Sequence, residues 1–322
     1  MISFADTWEP NMTRTTVAVA LGLLITGMAF GQGTVGFELL RMEATARGAA
    51  ASGALVAVSG EVDAMHSNPA SIADLEDRWV SLTYLKHLLD FNSGTIGYAQ
   101  SVRNYGTLGA RITYFDYGSF DEATPQGEFT GRTFGANDIL FSMSFARRIG
   151  SVYRIGVSVN YIRSQIEDYS ASAVSTNIGF LVRTHAQVKG IQEVTIGAAV
   201  YNLGTATKAF IDDKDDLPMG FRGGFNAPLE YLPLTVSAQV TKWVDQDVQF
   251  ALSGEFRPMD ALRIRVGYST EGHDQHLDTD KDTFAGFSTG FGIIHSKLRF
   301  DYALTSMGEL GLINRFTISR MF

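Results

Sequence analysis

The sequence predicts an all-β fold: a transmembrane outer-membrane β-barrel of about fourteen antiparallel strands, with an N-terminal plug segment in its lumen. Three observations lead to this prediction. Apolar and polar residues alternate in segments of roughly ten residues, the connections between these segments alternate in length, and the chain begins with an export-signal pattern. Membrane-spanning strands need about 9–11 residues, whereas strands of soluble proteins usually have about five or six.

Residues 1–31 are predicted to be a cleaved signal peptide. The apolar run Val17–Gly31 is shorter than the ~20 residues of a membrane-spanning helix. A basic residue precedes this run and small residues end it, as in secretory signals. Because two acidic residues among the first eleven fit such a signal poorly, we expect translation to begin at Met12. The alternative is a buried N-terminal helix.

Residues 32–77 differ from the rest of the chain, because they are rich in Ala and Gly and poor in aromatic residues. Small residues allow close packing, and barrels of intermediate width are often plugged. We therefore predict a plug over residues 32–77 and a barrel over residues 78–322. Gly286, Gly290 and Gly292 are expected to allow a close approach of plug and wall.

The barrel strands follow from alternation with period two. In the clearest segment, 297–305, Leu298, Phe300 and Tyr302 share one face, and the other face is mostly polar or charged. The predicted strands are 78–85, 93–102, 105–117, 137–148, 152–163, 173–185, 191–202, 218–227, 232–242, 247–257, 261–270, 283–293, 297–305 and 311–321.

The connections support this strand order. One end of the barrel would carry only short turns, and the other would carry long loops over 118–136, 204–217 and 270–282. Bacterial outer-membrane barrels have an even strand number, short periplasmic turns and longer outside loops. The predicted short turns fall near Asn104, Gly150, Lys189, Glu230, Met259 and Ser296.

Eight charged residues fall on the predicted inner faces of the strands. They either pair with one another and with the plug, or line a polar permeation path. These residues are Arg111, Arg154, Arg183, Glu255, Arg263, Arg265, Arg299 and Asp301.

An acidic loop is the one metal candidate. Asp278, Asp280 and Asp282 have the first three spacings of a calcium-binding loop. Thr283 and Thr289 stand where that loop has Gly and Glu. The alternative is a solvated acidic loop outside the membrane, and we expect no other metal site.

Composition narrows the classes of function. The 322-residue chain has no Cys, which excludes disulfides, thiol catalysis and thiolate metal sites. The net charge of −8 and the scattered basic residues argue against a nucleic-acid partner. Common hydrolase, zinc-protease and phosphate-loop motifs are absent, so we expect neither an enzyme nor a cofactor. A hydrolase site assembled at the barrel rim from separate side chains is the alternative.

The order of short motifs in residues 32–77 resembles the PorV/PorQ family of outer-membrane proteins, which are distant relatives of the fatty-acid transporter FadL. The plug motif of that family matches Arg47, Gly53, Asp63, Asn68, Pro69 and Ala70, preceded by Phe37, Leu39, Leu40 and Ala46. Pieces of the barrel are also similar, such as Asn202-Leu203-Gly204 and the strand Leu262–Tyr268.

The resemblance implies a component of type IX protein secretion in the outer membrane of a Gram-negative-type bacterium. Such a barrel would contact outer-membrane lipid, other secretion proteins and the C-terminal domains of secreted cargo. The alternative is a FadL-like channel that binds a hydrophobic ligand and takes up hydrophobic small molecules.

Overall fold

The computed structural model describes residues 35–87, 91–124, 126–188, 190–275 and 284–322. Within these ranges, fourteen antiparallel strands form a closed barrel, in which each strand pairs with its sequence neighbours and β1 pairs with β14. The predicted closed barrel and its strand number are thus confirmed. The predicted signal peptide, residues 1–31, and the calcium candidates Asp278, Asp280 and Asp282 lie outside the described residues.

The strands lie close to the predicted positions. They are β1 Arg78–Lys86, β2 Asn92–Val102, β3 Gly106–Ala123, β4 Phe129–Ile149, β5 Tyr153–Ile166, β6 Tyr169–Val188, β7 Ile191–Lys208, β8 Gly220–Pro228, β9 Leu234–Trp243, β10 Gln249–Met259, β11 Leu262–Ser269, β12 Phe287–His295, β13 Leu298–Ser306 and β14 Leu312–Met321. A five-residue helix, α1, spans Ala46–Ala50, and short 3₁₀ helices span Glu38–Leu40, Val62–Ala64, Pro69–Asp74, Thr270–Gln275 and Gly308–Leu310.

Alternation separates two chemical faces of the wall. In β5, Ile155, Val157 and Val159 are exposed on the outside, whereas Ser158 and Asn160 are buried on the inside. The same contrast recurs around the barrel and leaves a wide apolar outer surface. A contiguous apolar surface of this extent indicates contact with lipid. Among the described residues, no helix is both long enough and apolar enough to cross a membrane.

Two hairpins extend well beyond the predicted strand ends. The expected loop over 118–136 is mostly strand, because β3 continues to Ala123 and β4 begins at Phe129. The rings of Phe120 and Phe134 stack with centroids 5.6 Å apart in this extension. A register shift between Asp116 and Ser119 interrupts the alternation there, which explains why the pattern predicts a strand end too early.

β6 and β7 are also longer than predicted, and β12 is shorter. The expected loop at 204 begins only after Lys208, again beyond a register shift. β12 begins at Phe287 rather than at 283. Gly286, just before it, has a φ of 85°, a left-handed conformation that does not continue a strand.

The N-terminal segment, which we define as residues 35–77, lies against the inner face of the wall. Helix α1 contacts β12, β13 and β14, and the 3₁₀ helix Pro69–Asp74 contacts β4, β5 and β6. The backbone N–H of Ala46 donates to Thr317 Oγ1 of β14 at 2.9 Å. Since these strands lie on opposite sides of the closed sheet, the N-terminal segment spans the lumen.

Glycines in the wall allow this segment to approach closely. A Cβ at Gly179 would overlap the Asn68 side chain, and one at Gly156 would overlap the backbone of Pro69 and Ala70. Gly156 and Gly179 are register partners on β5 and β6. At these two positions a larger residue would displace the segment.

The three glycines predicted to allow close packing at β12 have different surroundings in the structure. Gly290 contacts Ala50 of helix α1, as expected of a close approach. Gly292 instead leaves room for the Asp301 and Arg265 side chains of the wall. Gly286 lies in the left-handed turn before the strand.

Candidate functional site

The candidate functional site is the lumen, where the N-terminal segment meets the wall. We call one end of the lumen the short-turn end. It carries the turns that join β2 to β3, β4 to β5, and so on up to β12 and β13. The opposite end, which carries the connection from β7 to β8 and that from β11 to β12, is called the long-loop end.

A group of seven charged side chains, the Arg299 cluster, joins the segment to β10, β11 and β13 near the short-turn end. The segment contributes Arg47, Glu61 and Asp63, and the wall contributes Glu255, Arg265, Arg299 and Asp301.

Arg299 is the centre of this cluster. It pairs with Glu61 of the segment at 2.6 Å, with Asp63 of the segment, and with Asp301 of its own strand at 2.9 Å. Arg265 pairs with Asp301 at 2.6 Å and with Glu255 at 2.7 Å. Anions from the segment and from the wall thus share the same cations, which fixes the segment to three strands.

Arg47 closes the cluster from the segment side. It pairs with Glu61 and, at 3.2 Å, with Glu255 of β10. Burial alone would raise the pKa of Glu61, but Arg47 and Arg299 outweigh it and lower the pKa to about 2. Burial raises the pKa of Asp63, against the opposing effect of Arg299. Glu61 is therefore the carboxylate that is most firmly charged in the segment.

A second group, the Asp74 cluster, holds the far end of the segment. Asp74 ends the 3₁₀ helix Pro69–Asp74, and its Oδ2 accepts from Arg154 Nε at 2.8 Å and from Arg183 Nη2 at 3.2 Å. Ser59 Oγ also donates to it, at 2.6 Å. Burial opposes ionisation of Asp74, but Arg154 and Ser59 prevail and lower its pKa. This cluster ties the segment to β5 and β6.

Asn68 joins two stretches of the segment to each other. Its side chain is buried, its Nδ2 donates to the Val56 carbonyl at 2.7 Å, and its Oδ1 accepts from the Ala70 backbone at 2.9 Å. Pro69 occupies the first position of the following 3₁₀ helix, where a missing N–H costs nothing. The predicted motif Asn68-Pro69-Ala70 thus shapes the segment where it meets Gly156 and Gly179.

Two cavities lie between the segment and the wall, one against strands β8 to β14 and the other against strands β8 to β11. The long-loop cavity has a volume of about 280 Å³, and Arg222, Thr241 and Trp243 line it with other residues of the wall. The short-turn cavity has a volume of about 100 Å³, and Ser237 and Ser253 are among its lining residues. The two cavities therefore share strands β8 to β11, at successive heights in the barrel.

A turn of the segment, Ala51–Val56, lies between the two cavities, because Ser52 and Gly53 line the long-loop cavity and Ala51 and Leu55 line the short-turn cavity. Ser52 and Gly53 have φ values of 48° and 79°, so the chain reverses sharply there. The backbone N–H of Val56 donates to Gln239 Oε1 of β9 at 3.0 Å. A Cβ at Gly267 of β11 would lie 2.7 Å from Ser52 Oγ. We call this turn the partition, and it includes Gly53 of the predicted plug motif.

The structure places all eight predicted lumen charges at inward positions. They do not form one group, because six belong to the two clusters and two lie elsewhere. Glu255, Arg265, Arg299 and Asp301 form part of the Arg299 cluster, and Arg154 and Arg183 form part of the Asp74 cluster. Arg111 lies apart from both clusters, 3.5 Å from Ser142 Oγ. Arg263 donates to the backbone carbonyls of Met259 and Asp260 at the short-turn end.

Sequence analysis missed two inward arginines and two partners in the segment. Arg222 of β8 and Arg315 of β14 are buried and line the long-loop cavity. The alternation that identifies the other inward arginines applies to both of them. Glu61 and Asp74 follow no alternation, because the segment that carries them is not a strand.

Metal ligands do not converge in the described part of the chain, where no group of three or more His, Asp or Glu side chains is placed to hold an ion. The calcium prediction falls on Asp278, Asp280 and Asp282, which lie outside the described residues, and it stays a prediction.

Comparison with known proteins places the fold. No protein-family model and no curated protein matches the sequence. Among solved structures, the toluene transporter TbuX of Ralstonia pickettii has a TM-score of 0.61 and 14% identity, covering 88% of this chain and 99% of that one. The toluene transporter TodX of Pseudomonas putida has a TM-score of 0.57 and 10% identity, covering 87% and 97%.

A FadL homologue of Pseudomonas aeruginosa is similar as well, with a TM-score of 0.54 and 11% identity over 90% of this chain and 99% of that one. None of these comparisons supports the narrower resemblance to PorV/PorQ proteins, which stays a prediction. At such low identities the likeness concerns the fold. This chain shares the barrel fold of these three solved structures.

Proposed function

We propose that this chain is a FadL-like outer-membrane channel for hydrophobic small molecules, and that residues 32–77 are its plug. The observation that carries the proposal is the pair of cavities that share strands β8 to β11, with the Ala51–Val56 turn lining both. The apolar outer surface supports a location in lipid, and the similar structures are named as transporters of toluene.

The contacts of the segment indicate which part moves. The Arg299 cluster buries several ion pairs and the Asp74 cluster buries the pair of Arg154 and Asp74, and breaking a buried pair costs about 3–5 kcal/mol. In the described structure the turn between the cavities has two hydrogen bonds to the barrel, from Val56 to Gln239 at 3.0 Å and from Ser52 to the Gly286 carbonyl at 3.5 Å, each worth about 1 kcal/mol. In our proposal the clusters therefore hold the segment in place while the Ala51–Val56 turn shifts and joins the two cavities.

A reversible crosslink tests this gate, because the sequence contains no cysteine of its own. The double variant Ser52→Cys and Gly267→Cys places one thiol on the turn and one on β11, at positions already in contact. We expect bacteria that express it to take up labelled toluene when the pair is reduced, and to lose uptake when it is oxidised. Each single-cysteine variant serves as the matched control.

Uptake that is the same in the oxidised and reduced forms would contradict the proposed gate. No toluene uptake in any form, including the wild type, would contradict the channel itself. The type IX secretion role implied by the PorV/PorQ resemblance has no support in the comparisons and forms no part of this proposal.

A further inference from the structure

The outer face of β8 to β11 contains an apolar groove with a volume of about 400 Å³. The side chains that shape this outer groove are Phe225, Ala238, Val240, Phe250 and Leu252. Phe225, Phe250 and Leu252 are exposed, whereas Gln239 of β9 and Ser253 of β10 are buried on the inner face of the same strands. The outer groove therefore opens away from the lumen, on the side of the barrel that faces lipid.

Small residues between large ones create the outer groove. Ala238 pairs with Phe225 of β8 on one side and with Leu252 of β10 on the other. Gly223, at the next outward position toward the long-loop end, pairs with Val240. Ala238 and Gly223 therefore form the floor of the groove, and the side chains of Phe225 and Leu252 rise on either side of it.

The chemistry of the outer groove suits an uncharged, apolar chain. None of the described residues that line it carries a charge. Two of its polar side chains already have partners: Gln239 Oε1 accepts from the Val56 backbone at 3.0 Å, and Thr270 Oγ1 accepts from the Phe250 backbone at 2.9 Å. A molecule in the groove would therefore gain packing contacts rather than ion pairs.

Packing determines which molecule stays bound inside a bilayer. Lipid chains are as apolar as the side chains that face them, so the hydrophobic effect contributes little there and van der Waals contact decides. A recess that nothing fills loses those contacts. A flat stretch of wall touches a lipid chain on one side, whereas the floor and sides of the outer groove surround it on three. A chain in the groove is therefore held more firmly than a chain elsewhere on the wall.

The position of the outer groove selects one leaflet of the bilayer. Thr270, which follows β11 at the long-loop end, lines the groove. Phe250 and Val240 form the second register pair from the connection between β9 and β10, which lies at the same end. The groove thus belongs to the half of the wall near the long-loop end, and in bacterial outer-membrane barrels the longer loops face the outside of the cell.

We propose that the outer groove is a lipid site, which binds one acyl chain of a lipid from the leaflet at the long-loop end. The groove is continuous with the apolar outer surface of the barrel, so lipid chains are the apolar groups that surround it. Gln239 and Ala251 line both the outer groove and the long-loop cavity. The bound chain therefore covers the outside of the wall where the inside of the wall borders that cavity. The inference goes beyond the proposed channel and does not depend on it.

Photo-crosslinking in membranes tests the inference. The full chain is reconstituted into vesicles of dioleoylphosphatidylcholine that contain a small fraction of a phosphatidylcholine with a diazirine on one acyl chain. After illumination, mass spectrometry of peptides locates the residues that carry lipid adducts. We expect adducts at the outer groove to be at least about tenfold more frequent than adducts on the lipid-facing residues of β2 to β5.

Ala238→Leu fills the floor of the outer groove and should lower the excess of adducts by about tenfold, to the level of the rest of the wall. Ala110→Leu is the matched control. Ala110 faces outward on β3, between its register partners Tyr98 and Met143 and outside the groove, so this variant should keep the excess. If Ala238→Leu fails to insert, Leu252→Ala removes one side of the groove, and it should lower the excess as well.

Several outcomes would overturn the inference. Even labelling around the wall, or an excess that Ala238→Leu does not reduce, would show that the groove holds no particular chain. Loss of the excess on addition of toluene, with labelling elsewhere unchanged, would make the groove a site for cargo instead of lipid. Absence of groove adducts in a chain that migrates as a dimer would show that a second copy covers it. The labelling requires no transport, so a groove that binds lipid in a chain without toluene uptake would contradict only the proposed channel.

Discussion

The two ends of the lumen use arginine differently. Near the short-turn end, Arg299, Arg265 and Arg154 each have a carboxylate within 3 Å. Toward the long-loop end, Arg222 and Arg315 are as deeply buried but have no such partner in the described structure. The comparison shows that the paired arginines fix the N-terminal segment to the wall, whereas Arg222 and Arg315 form no ion pair with it in the described structure.

The largest expected change in stability comes from replacing Arg299, the central cation of the Arg299 cluster. Arg299→Met leaves Asp63 and Asp301 buried without their main cation, so the free energy of unfolding should fall by about 3–5 kcal/mol. Urea unfolding of the barrel in lipid vesicles measures this change. Arg320→Met, on the exposed face of β14, should change it by less than about 0.5 kcal/mol. Similar values for the two variants would show that the Arg299 cluster does not anchor the segment.

The next effect depends on pH. The pKa of Glu61 is about 2 in the folded chain, below its usual 4.5, and this lowering contributes on the order of 3 kcal/mol at neutral pH. That stability is complete above about pH 4.5 and is lost as the pH falls toward 2. The difference in unfolding free energy between wild type and Glu61→Gln should therefore shrink over this range.

Both proteins contain Asp63, whose raised pKa changes stability with pH in the opposite direction. The difference between them therefore reports the contribution of Glu61. A wild-type advantage that stays constant from pH 7 to pH 2 would contradict the assigned ion pairs of Glu61.

A smaller loss of stability is expected at an uncharged packing contact between the segment and the wall. Gly179→Ala places a methyl group against Asn68, and overpacking of this kind costs about 1–3 kcal/mol. Gly94→Ala in β2 is the control, because a Cβ at Gly94 meets open space. Thermal unfolding of the two variants should separate them clearly. If Gly179→Ala is as stable as Gly94→Ala, the segment does not press on β6.

The smallest effect concerns the hydrogen bonds inside the segment. Asn68→Ala removes the bond to the Val56 carbonyl and the cap on Ala70, at a cost of about 1–2 kcal/mol. Because Val56 leads directly to the partition, cleavage by an added protease within residues 51–56 should also become faster. Unchanged stability and unchanged cleavage would show that Asn68 does not shape the turn.

The alternation of apolar and polar residues determines which features of the structure the sequence predicts. The order of the strands and the inward side of Arg154, Arg265 and Arg299 follow from period two, because a barrel wall has one lipid face and one inner face. The same rule also places Arg222 and Arg315 on the inner face. Register shifts near Gly118 and Asn177 break the period, and the strand ends beyond them were wrong.

The segment could not be predicted in the same way. Asp63 and Asp74 pair with arginines more than 70 residues away in the sequence, across a lumen whose shape depends on the whole closed sheet. Nor does any local pattern reveal that the Ala51–Val56 turn lies between two cavities. These features depend on which strands face one another, and periodicity does not encode that information.

The hydrogen bonds of Thr317 link the segment to the assembly of the barrel. Thr317 of β14 shares a hydrogen bond of 2.8 Å with Thr83 of β1, across the seam where the last strand meets the first. The same hydroxyl oxygen accepts from Ala46 of the segment at 2.9 Å. Thr317 makes both of these hydrogen bonds only when β1 and helix α1 both lie beside β14. One hydroxyl group thus couples the docking of the segment to the closure of the sheet, and joins an early part of the described chain to its last strand.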